Sequence, residues 1–525
     1  MTSIPRCAWP LLSLLSITAA LRASASVADV DLEAVLDHHA AAHGLPRDEA
    51  LVDARHVVAN LDAFGMTGRL ENWSEHPLRS WTRLELGPMV LETGYDGNNG
   101  WIRDRNGLVR KAEGLEENGL LLEALVSTGA YVLRRPPIAM RRDLLAVSDS
   151  TVSLFVEPLL GEAEILLLDA HSHRLLESRW NSGQFDERTS YTDYDWMSGL
   201  LMPRRTLLQM GDQFEFRATL VEFERAEARG ADFYRMPDAT ARNQILLSQA
   251  TDSGRIPMIG EGHHILLHGS IGEESGNFLL DSGAGSNVIH EGRLEKLGLA
   301  SLGAVEAMGV AGSQRASFVD IAEVDLLGLR LLQQSWMSLD FSELEFALGH
   351  PLLGVLGYDT FFQLITHVHY GERWVRFYDV GQFVAPEDAI PLPLRLDANV
   401  PTIEVSIEGI PAWVHVDTGS DNTLDLARPF VELHHLLTDR GQLGESGVAG
   451  LGGVGKSQRG SLRDFRMGPF EYDDFTAYFH EAGDGIFENR SVAGILGAGV
   501  LADFECWFDY SRHTLWLRSL SDTGR

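Results

Sequence analysis

Apolar and polar positions follow two different rhythms along this chain. Over residues 30–42 apolar residues recur at helical spacing, and Gly44-Leu45-Pro46 closes the pattern, which predicts one helix. Downstream the rhythm changes to alternation, as at residues 82–91 and 214–223, with turn clusters such as Asp96-Gly97-Asn98-Asn99-Gly100 between the runs. The first half is therefore expected to be a curved antiparallel sheet with one or two helices, an α+β half-barrel-like domain over residues 26–245. His38, His39 and His43 fall in the predicted helix, with the last two one turn apart. No third ligand is in sight, so a solvated helix face is expected there rather than a metal site.

Beyond residue 256 the chain repeats itself, and a repeat is read before any single motif. Phe278-Leu279-Leu280-Asp281-Ser282-Gly283-Ala284 returns as Val414-His415-Val416-Asp417-Thr418-Gly419-Ser420, with the two aspartates 136 residues apart. Ser313-Gln314-Arg315-Ala316-Ser317 returns as Ser457-Gln458-Arg459-Gly460-Ser461 at an offset of 144, and Gly354-Val355-Leu356-Gly357 as Gly494-Ile495-Leu496-Gly497 at 140. A closing strand follows each copy, at 374–378 and 514–517. Three elements in one order at nearly constant offset describe a tandem duplication, with copies over 256–385 and 386–525.

The duplicated Asp-(Ser/Thr)-Gly has a chemical reading. An apolar run ending in a carboxylate places Asp at the end of a buried strand, where its charge is costly unless something shares or solvates it. Gly283 and Gly419 let the backbone turn tightly and free its amides to donate to the carboxylate. The hydroxyls of Ser282 and Thr418 can tie the two turns together. If the copies pack about a pseudo-twofold axis, Asp281 and Asp417 meet. Two carboxylates about 3 Å apart hold one proton between them. One then serves as general base on a water and the other as general acid or carbonyl polariser, which is amide hydrolysis without a cofactor, a metal or a covalent intermediate.

Asp281-Ser282-Gly283-Ala284 and Asp417-Thr418-Gly419-Ser420, followed by Val355-Leu356-Gly357 and Ile495-Leu496-Gly497, resemble aspartic peptidases. The gaps of 74 and 78 residues between Asp and the second motif are close to a retropepsin-like subunit and shorter than a pepsin lobe. The resemblance implies a mainly β fold of two tandem retropepsin-like acid-protease β-barrel lobes in one chain. It also implies that the apolar-apolar-Gly segments thread behind the active-site loops. Glycine-rich lids over a peptide substrate would be Gly309-Val310-Ala311-Gly312 and Gly447-Val448-Ala449-Gly450. Asp417 and Ser457 are eight residues further apart than Asp281 and Ser313, so unequal lids are expected. In the first half, Tyr95-Asp96-Gly97-Asn98-Asn99-Gly100-Trp101 and Tyr191-Thr192-Asp193-Tyr194, followed by Gly199 and Pro203, look like segments of periplasmic LolA/LppX-type domains, which implies an apolar ligand or a substrate-presenting surface.

Composition narrows the partners. With 43 Lys+Arg against 75 Asp+Glu the net charge is −32, a surface that repels phosphate backbones and disfavours nucleic acid. Two cysteines, Cys7 and Cys506, exclude a disulfide framework and a cysteine zinc site; Cys506, beside Trp507, is expected in the core. Residues 1–25 read as a secretory signal: Arg6, an apolar stretch at 8–21, and Ala23-Ser24-Ala25 as a small-x-small cleavage site. Retained as an anchor, that stretch would fall short of a span, and an exported periplasmic or secreted chain without an integral span is expected. Gly450-Leu451-Gly452-Gly453-Val454-Gly455-Lys456-Ser457 spells a phosphate loop, yet no helical stripe follows it, so it is read as lid rather than nucleotide site. The functional expectation is an exported aspartic endopeptidase. The alternative is a peptide- or lipid-binding protein on the same scaffold.

Overall fold

A computed structural model describes residues 30–48, 54–159, 162–211, 214–239, 244–310, 312–438, 440, 444–450, 453–480 and 485–520. The segment read as a signal lies outside them. The protein is mainly β.

The first half is one antiparallel sheet of thirteen strands. From Ala54–Ala63 the chain meanders outward to the edge strand Val109–Lys111, then crosses by the helix Leu115–Thr128. It starts again at the other edge, Met140–Val147, and works back to Phe214–Ala226, which zips onto the first strand from Ala54↔Ala226 to Asp62↔Arg217. The helix Leu32–His43 starts on Asp31, whose side chain accepts from the Glu33 amide, and stops at Gly44 in the left-handed region. It buries Val35, Leu36 and Ala40 against Leu144, Val152, Leu154, Leu166 and Leu168. The second helix packs Leu120, Leu122 and Leu125 against Leu78, Tyr95 and Ala112. The sheet thus packs both of these helices, and the short helix Ala231–Tyr234 adds Tyr234 against Ala54 and Trp73.

Of the three histidines of the first helix, His38 is exposed as expected, but His39 and His43 are not part of a solvated face. His39 is fully buried, 2.7 Å from the His173 carbonyl through Nδ1 and 2.7 Å from the Tyr131 hydroxyl through Nε2. Burial drives its pKa down to about 3, so the ring is neutral. The Leu175 amide donates to His43 Nε2 at 3.1 Å, which leaves Nδ1 to donate to the Leu201 carbonyl at 3.1 Å. Both rings fasten the helix to the sheet, a role helical spacing alone does not reveal.

The second half holds two lobes with the same strand pattern. In the first, Glu274–Leu280 runs parallel to Leu352–Leu356, and Val288–His290 lies antiparallel on the far side of that strand. In the second, Ile410–Asp417 runs parallel to Gly494–Gly497, with Leu424–Leu426 antiparallel beyond it. Gln244–Leu247, upstream of residue 256, already pairs with Leu329–Leu339 of the first lobe.

Beneath the lobes the predicted closing strands, Trp374–Asp379 and Thr514–Ser519, flank Leu364–His369 and Phe504–Asp509 in a shared sheet. Its central pairing sets His367 opposite Trp507 and Val368 opposite Cys506. His367 and Trp507 are 140 residues apart, the offset of the second motif, so the pseudo-twofold axis passes through this pair. Cys506 is fully buried, as expected, and burial raises its thiol pKa. One continuous core joins the lobes and includes Leu108 from the first half.

Candidate active site

Each aspartate stands where an apolar strand ends in a glycine turn. Leu280 and Val416, the residues before them, are fully buried, whereas Asp281 and Asp417 are half-buried. Gly283 N donates to Asp281 Oδ1 at 2.8 Å and Ala284 N to the same oxygen at 3.2 Å; Gly419 N donates to Asp417 Oδ1 at 2.7 Å. The turns lie against each other. A Cβ on Gly283 would sit 2.5 Å from Asp417 Cγ, and one on Gly419 would sit 2.6 Å from Asp281 Cγ. Only glycine admits that approach.

Ser282 and Thr418, both fully buried, interlock the turns. Ser282 N donates to Thr418 Oγ1 at 3.0 Å, and Thr418 N donates to Ser282 Oγ at 3.0 Å. Each hydroxyl then donates to the strand beneath the opposite turn, Ser282 Oγ to Val416 O at 2.7 Å and Thr418 Oγ1 to Leu280 O at 2.9 Å. The four bonds form two mirrored pairs. This frame holds the carboxylates together, and the pKa of Asp281 is pushed well above the ordinary carboxylate range. Burial is the main cause, then the charge of Asp417 and a hydrogen bond with it; the Gly283 and Ala284 amides pull the other way. The pair can therefore hold a proton at pH values where isolated carboxylates have lost theirs.

The second motif lies directly behind. Leu279 pairs with Val355 and Leu280 with Leu356; His415 pairs with Ile495 and Val416 with Leu496. A Cβ on Gly357 would meet the Ala284 carbonyl at 2.4 Å, and one on Gly497 would meet the Asn422 carbonyl at 2.3 Å. The residues that follow donate into the turns, Tyr358 N to Ala284 O at 2.9 Å and Ala498 N to Ser420 O at 2.7 Å.

The lid positions lie on two hairpins. Leu302–Gly309 pairs with Gly312–Leu326, so that Gly309 faces Gly312 across the tip; Ala311 lies outside the described residues. Gly444–Gly450 pairs with Gly453–Met467, putting Gly447 opposite Lys456 and Val448 opposite Gly455, with Ala449 next and Gly450 opposite Gly453. Among the described residues the arms run to eight and fifteen residues in the first hairpin and seven and fifteen in the second, so the eight-residue difference in spacing does not appear as markedly unequal lids. The Ser-Gln-Arg echo misled because its copies are three residues out of structural register: Ser313 is the first residue after Gly312, but Ser457 is the fourth after Gly453. The extra residues lie before the second lid, around the helix Arg428–Leu433. The tip of the first lid reaches the other lobe, since a Cβ on Gly455 would lie 3.2 Å from Val310 Cγ1 and one on Gly485 2.5 Å from the Val310 carbonyl. The phosphate-loop spelling runs into this second hairpin, with Lys456 and Ser457 on the strand Gly453–Met467 where such a loop needs a helix.

Sequence reasoning missed a buried polar network beside the first turn. Asp359 Oδ2 accepts from Asn287 N at 2.6 Å and Ser286 Oγ at 3.0 Å, and Asn287 Oδ1 accepts from Gly357 N at 2.7 Å. Asn106, from the first half, donates to Asp359 Oδ1 at 2.8 Å. Asp104-Arg105-Asn106-Gly107 reads only as a turn, and no periodicity reports a partner some 250 residues away. Among the described residues, no cluster of metal-ligating side chains occurs and no helix is long and apolar enough to cross a membrane.

Residues 267–360 and 403–500 match the protein-family model described as Aspartyl protease. Each segment contains one Asp turn with its apolar-apolar-Gly partner. No curated protein matches the chain significantly. Among solved structures, Basic 7S globulin from soybean is 11% identical over 54% of this chain and 97% of its own, with a TM-score of 0.31. A putative outer membrane lipoprotein-sorting protein domain from Vibrio parahaemolyticus is 8% identical over 39% of this chain and 95% of its own, with a TM-score of 0.28. A LolA superfamily protein from Nitrosomonas europaea is 11% identical over 39% and 98%, also at 0.28.

Proposed function

We propose that this chain, in which residues 267–360 and 403–500 each match the aspartyl protease family model, is an endopeptidase whose dyad is Asp281 and Asp417. The observation that carries the reading is the mirrored interlock of Ser282 and Thr418, which sets two carboxylates face to face across a pseudo-twofold axis.

In this reading Asp281 holds the shared proton and donates a hydrogen bond to the scissile carbonyl. Asp417 takes a proton from the attacking water as its oxygen bonds to the carbonyl carbon. Transfer of a proton to the amide nitrogen then breaks the C–N bond, releasing a carboxylic acid and an amine. The lids, with backbone groups along a hairpin, clamp an extended peptide by strand addition and exclude water on closing. Export rests on the sequence of residues 1–25, and the division at about residues 245–256 and 385 follows the repeat.

The test is incubation of the protein with a mixed peptide library from about pH 3 to 7, products being read by mass spectrometry. Internal cleavages are expected on the acidic side of neutrality. Peptides recovered intact at every pH, bound to well-folded protein, would leave a binding protein instead.

A further inference from the structure

The first half of the chain packs on the first lid hairpin, where Arg105 lies over Phe318, and it also reaches the first Asp turn itself. Arg110, on the edge strand Val109–Lys111, is buried at 6% exposure. Two of its nitrogens hold Glu116 in a fork at 2.6 Å each, which fixes the guanidinium. The remaining one, Nε, donates to Asn399 Oδ1 at 2.9 Å. Asn399 belongs to the turn between Ile390–Asp397 and Val400–Ile407 of the second lobe, and its Nδ2 donates to the Gly285 carbonyl at 3.1 Å. Gly285 is the fourth residue after Asp281, and a Cβ on it would lie 3.2 Å from the Ala398 carbonyl. All three units therefore meet at one carbonyl of the first turn.

A second strand of contacts runs to the neighbouring residues. Arg105 Nη2 donates to Ser286 Oγ at 2.7 Å. Asn106, 3% exposed, donates to Asp359 Oδ1 and, at 3.1 Å, to the Ser335 carbonyl, while its own Oδ1 accepts from Ser335 N at 3.0 Å.

The pseudo-symmetry supplies a comparison within the molecule. Asn399 and Gly285 are each 136 residues from a counterpart, His263 and Asp421. There His263 Nδ1 lies 3.3 Å from Asp421 Oδ1, with both side chains about half exposed. The buried bracing beside the second turn comes from its own lobe, where Asp425 accepts from Asn422 Nδ2 at 3.0 and 3.1 Å and pairs with His480 at 2.8 Å. The first half thus supplies buried side chains beside the first turn, whereas at the equivalent place the second turn meets the part-exposed His263 and His264 of the first lobe.

We propose that the first half of the chain is a permanent positioning element of the dyad, acting through Arg110 and Asn399 on the Gly285 carbonyl, and is not a segment removed for activity. This rests on the peptidase reading only for its kinetic consequences. The variant that isolates the relay is Asn399→Gly. Asn399 has φ of 71°, which glycine adopts freely, so the turn is kept and the amide deleted. Glu113→Gln is the comparison. Glu113 accepts from Leu396 N at 3.1 Å and pairs with His513 at 3.2 Å on the same interface, but outside the relay.

Amide hydrogen exchange at Gly283 and Ala284 is read in the full chain, with kcat, KM and the pH profile on a peptide substrate. In Asn399→Gly, exchange at these amides is expected to rise about fivefold as the turn loosens. Turnover, kcat, should fall about tenfold with KM changed less than about twofold. The alkaline limb of the profile should move to higher pH, because weaker amide bonds to Asp281 favour its protonated form. Glu113→Gln should leave exchange and limb as in the unaltered protein. Unaltered exchange in Asn399→Gly, or the same changes in Glu113→Gln, overturns the proposal. Exchange needs no turnover, so an unaltered protein that cleaves nothing sinks the peptidase reading and leaves the relay to be decided by exchange alone.

Discussion

Ser282 and Thr418 each accept an amide hydrogen from the opposite turn and donate to a carbonyl beneath it. Thr418→Val keeps the shape and removes the oxygen, leaving the Ser282 amide and the Leu280 carbonyl buried without partners. The cost expected is about 2–3 kcal/mol in urea denaturation, with Thr418→Ser restoring most of it. An unchanged midpoint would remove the interlock from the account. Asp281 makes a second prediction through linkage. Its folded pKa is raised, so the native state keeps a proton that the unfolded chain loses from about pH 4 upward. Its contribution to stability is present below that pH and is lost as pH rises toward the folded pKa. Asp281→Asn should therefore gain in unfolding midpoint over the unaltered protein as pH goes from 4 to 8. A constant difference would contradict the shift. The aspartates, their hydroxyl neighbours and their glycines were legible in sequence because the duplication writes them twice. Asn399, Asn106 and Arg110 were not, since each acts once and through partners remote in sequence.

At the scale of elements, the fold depends on two short strands threading behind the turns with no space to spare. Gly497→Ala puts a methyl 2.3 Å from the Asn422 carbonyl and 2.7 Å from that of Ser420. It is expected to cost about 1–3 kcal/mol in unfolding free energy, whereas Gly444→Ala, with nothing within 4 Å, should be close to neutral. Equal effects at the two positions would mean the close approach is relieved by backbone movement. Val355-Leu356-Gly357 and Ile495-Leu496-Gly497 were found by sequence because their spacing from the aspartates is fixed by the loop they thread. The Ser-Gln-Arg echo misled because it lies along a hairpin arm, where local similarity is unanchored by any turn or buried contact. Helical spacing likewise located the first helix but not the buried partners of His39 and His43.

At the scale of the whole molecule, two lobes related by an axis through His367 and Trp507 share one core, and Leu108 carries the first half into it. The antiparallel sheet of the first half and the tandem lobes could be read from alternation and repetition. The joining of the three units could not, because the docking loop 104–108 looks like any solvent-facing turn. The acidity of the chain, −32 overall, bears on partners, whereas the proposed reaction rests on two carboxylates that the duplication singles out by position. The central claim is that this pair, held by the interlock, hydrolyses peptides. Its most direct test is the rate of cleavage of one peptide substrate by Asp281→Asn and Asp417→Asn beside the unaltered protein, all three shown to be folded. The account predicts that each substitution lowers turnover by about a thousandfold or more. Cleavage by either variant at about a tenth of the unaltered rate or faster would contradict it.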